Sequence, residues 1–261
     1  MADTDRTPPA SNAQDAPPTY PGRRSGLMAI VSERPIDFLL NLTRLSVVIF
    51  SILYLTTLGG NDAYYKALLA MAASSALRLY QRTREPGNRG AERTYAQLFQ
   101  TLLIEDSCHY LMYCVLFVIG SPVTFVLMPI AIFACIHSMA FFVKLGNEIG
   151  AGAALLRPVG RLIETEQQRM LMTAALGEIL MMPVSVIMVF TGKVLLLAPI
   201  MYYRFLQLRY RSRRNPYCRQ AFFQLRLAAE RLAMRSPAAI SNIILKCVGF
   251  ISQLAPQIPA Q

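Results

Sequence analysis

Long apolar segments alternate with short turn sequences and with longer polar connections along most of this chain. Six apolar runs stand out, at residues 36–58, 63–80, 98–119, 122–143, 170–191 and 194–208. The connections "LGGND", "GSP" and "TGK" contain Gly, Pro or Asn and are typical of tight turns. This pattern predicts about three helical hairpins, with the three tips on one side and the longer loops on the other.

The composition places these helices in a membrane. Hydrophobic residues make up 54% of the 261 residues and charged residues only 16%, whereas a soluble domain carries about 25% charged residues. A spanning helix needs about 20 apolar residues, so we expect an all-α integral membrane protein. The run at 63–80 contains Lys66 and Arg78, and a count of three or four full crossings is also compatible with the hydropathy.

The sequence divides into three regions. Residues 1–33 are rich in Pro, Ala, Thr, Asp and Arg, so we expect a disordered N-terminal tail. Residues 34–210 form the helical membrane domain. Residues 211–261 form a basic region, in which 217–235 and 238–254 follow the pattern of amphipathic helices. We expect the second of these helices either to pack on the protein or to lie in the membrane plane.

Positive charge is concentrated near the C-terminal end. The formal net charge is +11, and the segment from Arg204 onward contributes most of it, with nine arginines and Lys246 against the single acid Glu230. Basic loops of membrane proteins stay on the cytosolic side. We therefore expect both termini and the loops at 81–95 and 144–169 to be cytosolic.

Tyrosine and arginine are interleaved where the last apolar run ends, in "YYRFLQLRYRSRRNPYCR". Tyrosine favours the headgroup level of a bilayer and arginine favours its phosphates. The predicted residues for binding anionic lipid or a protein partner are Arg204, Arg209, Arg211, Arg213, Arg214 and Arg219, together with Ile244 and Ile251 on the apolar face of the last helix. A segment rich in arginine and tyrosine could also bind nucleic acid. Its place directly after an apolar run favours lipid or an acidic protein, so no nucleic acid is expected.

The segment "LLIEDSCHYLMY" places Glu105, Asp106 and His109 inside an apolar run. Spacings of three and four residues put a carboxylate and the imidazole on one helix face. Metal-binding bundles of the di-iron type need a Glu-x-x-His motif from each of two helices. His137, the other histidine, has no carboxylate three or four residues before it, so a metalloenzyme is the weakest of the interpretations.

Glu178 is the other acidic residue deep in an apolar run. Ionisable groups inside membranes usually face the bundle interior and pair with one another, and Arg44 and Arg78 are the counterions available in other runs. We therefore favour a structural polar cluster. The alternative is a channel or transporter whose path is lined by Glu105, Asp106, His109 and Glu178. No nucleophile or phosphate-binding motif is present, and neither catalysis nor a cofactor is expected.

Several stretches resemble the transmembrane protein 33 (Krüppel homologue) family, which is related to fungal nuclear-pore membrane proteins. They are "SSALRLYQR", "LLIEDSCHYLMY", "SPVT", "YYRFLQLRYRSRRNPYCR" and "FISQLAP", in the family's order from about residue 70 onward. The resemblance implies a non-enzymatic multi-pass protein of the endoplasmic reticulum membrane and nuclear envelope. It also implies a role in tubular-network shape and nuclear-pore organisation, with reticulon-like, nuclear-pore or stress-signalling membrane proteins as partners.

Overall fold

The computed structural model describes residues 27–83, 102–103, 105–150, 153–212 and 216–254. Every regular element in these ranges is an α-helix, which confirms the predicted fold class. The helices are α1 (Leu27–Glu33), α2 (Pro35–Leu55), α3 (Gly60–Thr83), α4 (Asp106–Val118), α5 (Thr124–Ile149), α6 (Ala153–Phe190), α7 (Ala198–Arg211), α8 (Tyr217–Arg235) and α9 (Ala238–Leu254). The six predicted apolar runs correspond to α2 through α7.

The transmembrane helices form one row of the bundle. Within the described ranges, α2, α5 and α6 are long and apolar enough to cross a membrane, which matches the lower of the expected counts. They lie side by side, with α5 between α2 and α6. The other three helices of the bundle form a second row, in which α4 contacts both α3 and α7. With 13 and 14 residues, α4 and α7 are roughly 20 Å long, shorter than the ~30 Å hydrocarbon layer.

Aromatic side chains fill the space between α4 and α7. Tyr113, Phe117, Tyr202 and Phe205 are fully buried, and their ring centroids lie 4.8 to 6.0 Å apart where they meet. The Tyr113 hydroxyl donates a hydrogen bond to the backbone carbonyl of Val126 at 2.8 Å. A buried tyrosine needs such a partner, so this bond fixes how α4 meets the start of α5.

The three hairpin tips meet at one end of the bundle, as the sequence predicted. The backbone N–H of Ser121 donates to the carbonyl of Lys193 at 2.8 Å, which joins the α4–α5 turn to the α6–α7 turn. The hydroxyl of Tyr65, near the start of α3, donates to the carbonyl of Gly120 at 3.1 Å. The opposite end carries contacts between helix termini, including the pair Arg34–Glu148 at 3.5 Å.

Two segment predictions are wrong. The expected loop at 144–169 is mostly helix, because α5 continues to Ile149 and α6 starts at Ala153. Gly150 ends α5 in the left-handed conformation, with φ of 70°, which a glycine adopts without a steric penalty. Residues 27–33, placed in the disordered tail, form α1. The rest of that tail and most of the loop at 81–95 lie outside the described residues.

The contact between the turns gives a testable packing prediction. A Cβ atom on Gly120 would lie 2.9 Å from Val194 Cγ1 and 3.0 Å from the backbone carbonyl oxygen of Lys193. Because the carbonyl cannot rotate away like a side chain, we expect Gly120→Ala to lower the free energy of unfolding by about 1–3 kcal/mol. Thermal unfolding of the purified protein in detergent measures the change.

Gly249 in α9 provides the control for this substitution. No atom lies within 4 Å of a Cβ built there, and Gly→Ala inside a helix stabilises by about 0.5–1 kcal/mol. Gly249→Ala should therefore leave the unfolding temperature unchanged or raise it slightly. Equal unfolding temperatures for the two alanine variants would contradict the close contact between the turns.

Candidate functional site

A salt bridge between Arg209 and Glu178 lies inside the bundle. The Arg209 side chain is 1% exposed and that of Glu178 is fully buried. Arg209 Nε donates to Glu178 Oε2 at 2.9 Å and Nη2 donates to Oε1 at 3.1 Å. This two-pronged contact is the strongest geometry that an arginine and a carboxylate adopt, and it joins α7 to the middle of α6.

Two tyrosine hydroxyls complete the surroundings of Glu178. Tyr110 donates to Glu178 Oε1, and Tyr202 donates to the backbone carbonyl of Glu178 at 2.6 Å. The ring of Tyr110 also faces the Arg209 guanidinium, with 4.9 Å between the guanidinium carbon and the ring centroid. Glu178 is therefore held by side chains from α4 and α7 at once.

The third nitrogen of the guanidinium reaches a second carboxylate. Arg209 Nη1 lies 3.3 Å from Asp106 Oδ1, and the Ser212 hydroxyl donates to the same oxygen at 2.8 Å. Asp106 lies in the first turn of α4, where the helix dipole favours a negative charge. We call Arg209, Glu178, Asp106 and Tyr110 the arginine cluster. These four side chains bind one another through the hydrogen bonds given above.

His109 and Glu105 lie at the edge of this cluster. His109 Nε2 is 2.7 Å from the carbonyl oxygen of Leu103, so Nε2 carries the proton of the neutral ring because a carbonyl only accepts. Its Nδ1 lies 3.7 Å from Asp106 Oδ1. Glu105 pairs with Arg82 of α3 at 3.3 Å. Glu105, Asp106 and His109 thus lie together at the start of α4, with 14% of the Glu105 side chain and 28% of the Asp106 side chain exposed.

The counterions were predicted incorrectly. Arg44 and Arg78 were expected to neutralise the acidic residues, but Arg209 does so. Arg209 had been placed among the lipid-binding residues, and that assignment is wrong because its side chain is buried. A signal was present in the sequence: Tyr202, Phe205 and Arg209 follow the spacing i, i+3, i+7, which places Arg209 on the buried face of α7.

The other residues predicted to bind lipid or a protein partner differ in how exposed they are. Arg204 and Arg211 are exposed, and Arg219 is half-buried. Arg213 and Arg214 lie outside the described residues, and so does the side chain of Ile251. Ile244 is half-buried on α9. Of the predicted basic residues that the structure describes, Arg204 and Arg211 are therefore the ones that face outward.

Comparison with known proteins identifies the family of this chain. The family model described as Transmembrane protein 33/Nucleoporin POM33 matches residues 19–257. The chain belongs to this family. It is 40% identical over 252 residues to the human protein named Transmembrane protein 33, covering 94% of this chain and 99% of that protein. The Transmembrane protein 33 homolog of Caenorhabditis elegans is 38% identical over 240 residues, covering 90% of this chain and 87% of that protein.

A further relative is Krueppel homolog 2 of Drosophila melanogaster, 38% identical over 226 residues, with 85% of this chain and 80% of that protein covered. No solved structure matches the chain. The names within the Transmembrane protein 33/POM33 family denote membrane proteins and a nucleoporin, not an enzymatic activity. Within the described residues, no group of three or more His, Cys, Asp and Glu side chains is arranged to hold a metal ion.

Loss of the central cation should destabilise the fold. Arg209→Gln leaves Glu178 buried with no charged partner in the cluster, and an uncompensated buried charge costs about 3–5 kcal/mol. We expect a decrease of that size in the free energy of unfolding, measured in detergent by chemical denaturation. Arg211→Gln removes the same charge from an exposed site two residues away and should change stability by less than about 0.5 kcal/mol. Equal effects of the two substitutions would contradict the structural role of the cluster.

Cys218, at the start of α8, reports on whether the cluster is intact. Its side chain is buried, and burial raises the pKa of its thiol to about 12. Because the thiolate is the reactive form, we expect maleimide at pH 7.5 to modify the exposed Cys247 and to spare Cys218 in the folded protein. In Arg209→Gln, Cys218 should become reactive at the same pH. Rapid labelling of Cys218 in the unaltered protein would contradict this packing, and mass spectrometry of peptides distinguishes the two sites.

Proposed function

We propose that this protein is a non-enzymatic organiser of membrane shape and of membrane-protein assemblies in the endoplasmic reticulum and nuclear envelope. One observation carries the proposal: α9 presents an exposed apolar face although it is anchored to a transmembrane bundle. Ile240 and Ile243 are 50% and 62% exposed, and Lys246 is the single charged residue in the 17 residues of this helix. Such a helix lies in a membrane interface or binds another protein.

The packing of the tail supports this role. Cys218 and Ala221 at the start of α8 are fully buried, and α8 contacts α6, the longest transmembrane helix. Helix α9 packs on α8 in turn. Ile244 and Val248 lie on the half-buried side of α9, whereas Ile240, Ile243 and Cys247 lie on the exposed side. The amphipathic surface is therefore held at a fixed place beside the bundle instead of on a free linker.

The charges of this region support binding to an anionic surface. Arg204 and Arg211 are exposed on α7, and α8 presents Arg226, Arg231 and Arg235. Each base near an anionic leaflet contributes about 1 kcal/mol of binding. The excess of positive charge also supports a cytosolic C-terminus. The family description, which includes a nucleoporin, supports the nuclear envelope as a location. Nuclear-pore, reticulon-like or stress-signalling membrane proteins are the partners that we propose.

The alternative function is a channel or transporter with a path lined by Glu105, Asp106, His109 and Glu178. The geometry favours the organiser. Glu178 and Asp106 are both bound to Arg209, and Glu105 is bound to Arg82. A permeating ion would have to displace these arginines, and breaking a buried pair costs several kcal/mol.

Reconstitution of the full chain separates the two functions. We expect vesicles containing the protein to become smaller or to form tubules as the protein density rises, with no increase in ion flux over empty vesicles. Electron microscopy of the vesicles and a dye-based flux assay measure both properties on one sample. Ion flux without a change of vesicle shape would favour the channel.

The exposed face of α9 should be required for reshaping. Ile240→Asp with Ile243→Asp places two charges on that face, and we expect reshaping to fall to the level of empty vesicles. The matched control is Asn242→Asp with Gly249→Asp, because these positions lie seven residues apart on the polar face beside Lys246 and are exposed. The control should reshape vesicles like the unaltered protein. Full reshaping by the Ile240/Ile243 variant would contradict the proposal.

A further inference from the structure

Two neighbouring cavities open between the helices at the end opposite the hairpin tips. Their volumes are about 240 and 260 Å³. Arg44 of α2 and Arg78 of α3 line both cavities. We call the combined space the Arg44–Arg78 crevice. Neither arginine belongs to the arginine cluster around Glu178, although Asp106 and Tyr110 of that cluster also line the second cavity.

The charges around the crevice do not cancel. The ionisable residues lining its first cavity are Arg34, Arg44, Arg78, Lys144, Asp37 and Glu148, which leaves an excess of two positive charges. Glu148 pairs with Arg34, and Asp37 accepts a hydrogen bond from Gln81 at 2.9 Å. The two carboxylates that line the second cavity are also engaged, since Glu105 binds Arg82 and Asp106 binds Arg209.

Arg44 and Arg78, like Lys144, form no ion pair within 4.0 Å among the described residues. Arg78 repels Arg44 electrostatically, and a smaller attraction to Asp37 offsets this in part. Arg44 is half-buried and lies nine residues into the transmembrane helix α2, roughly 13 Å along its axis. A charge at such a position is costly unless it finds a partner, so an anion between the two arginines would stabilise them both.

The walls of the crevice indicate what kind of anion fits. Phe38 and Phe141 meet edge to face at 6.2 Å between ring centroids, and they line the first cavity together with Leu145. On the outer side of α2, Leu39 and Leu42 are exposed. Two arginines can donate hydrogen bonds to the oxygens of one phosphate. The apolar surface beside them can pack against an acyl chain.

We propose that the Arg44–Arg78 crevice binds the phosphate of an anionic phospholipid, whose acyl chains lie along α2. The first cavity extends from Arg34 and Glu148, near the ends of α2 and α5, inward to Arg44, so a headgroup that enters at the helix ends has to reach inward for its phosphate to meet Arg44. This site differs from the exposed arginines of the tail, because Arg44 and Arg78 would bind the same phosphate in a space between helices. The proposal does not depend on the reshaping function.

Binding is tested on the full chain, purified in non-ionic detergent and freed of lipid. Phosphatidic acid, phosphatidylcholine with the same acyl chains, and glycerol phosphate are the three probes, and native mass spectrometry measures retention. We expect one phosphatidic acid per chain, bound at least about tenfold more tightly than the other two probes. If phosphatidylcholine binds as tightly as phosphatidic acid, the site does not select an anionic headgroup and the proposal is wrong. If glycerol phosphate binds as tightly, the site recognises a free phosphate and not a lipid, which also contradicts the proposal.

Substitutions then locate the site. Arg44→Gln with Arg78→Gln should weaken phosphatidic acid binding at least about tenfold. The matched control is Arg157→Gln with Arg161→Gln, which removes two exposed charges from α6 and should bind like the unaltered chain. Unchanged binding by the Arg44/Arg78 variant, or equal weakening in both variants, would overturn the proposal.

A measurement on the unaltered chain covers the case in which the substituted protein does not fold. Phosphatidic acid with a photoreactive group near its phosphate is bound and activated, and the labelled peptides are mapped. We expect label between Phe38 and Arg44 of α2 and between Phe141 and Leu145 of α5. Label confined to α8 and α9 would place the lipid on the tail and overturn the proposal.

Discussion

A fully buried arginine is the constraint on which the rest of this structure depends. The Arg209 guanidinium cannot be placed inside a membrane bundle without anionic partners, because the cost of removing it from water exceeds what packing supplies. Glu178 and Asp106 meet that requirement from two different helices. Their positions fix α6 and α4 against α7, and the buried Cys218 then fixes the start of α8. The cluster therefore determines where the amphipathic tail leaves the bundle.

This arrangement connects the transmembrane helices of the protein with its amphipathic tail. Helix α6 has 38 residues, roughly 57 Å, and extends well beyond the hydrocarbon layer. Helix α8 packs on α6 and carries α9, so the exposed apolar face of α9 has a defined position relative to the transmembrane helices. The proposed organising role depends on these helix contacts, because an amphipathic helix that did not pack on the bundle would have no fixed position relative to the transmembrane helices.

The helices could be predicted from the sequence, and the contacts between them could not. The apolar runs and the turn residues between them located α2 to α7, because both signals depend only on residues that are close together in the sequence. The partner of Glu178 lies 31 positions away, and no local pattern distinguishes Arg209 from the exposed Arg204 or Arg211 except its place on the buried face of α7. The helical start of α6 was missed because its charged residues resemble a loop in a hydropathy profile.

The attraction between Arg209 and Glu178 is measured most directly by a double-mutant cycle. The free energies of unfolding of Arg209→Gln, Glu178→Gln and the double variant are compared with that of the unaltered protein in detergent. If the charge pair holds α7 against α6, the two substitutions are coupled by about 1.5–3 kcal/mol, and the double variant is more stable than Arg209→Gln alone. A coupling energy within about 0.5 kcal/mol of zero would contradict this, because each side chain would then contribute to stability without the other.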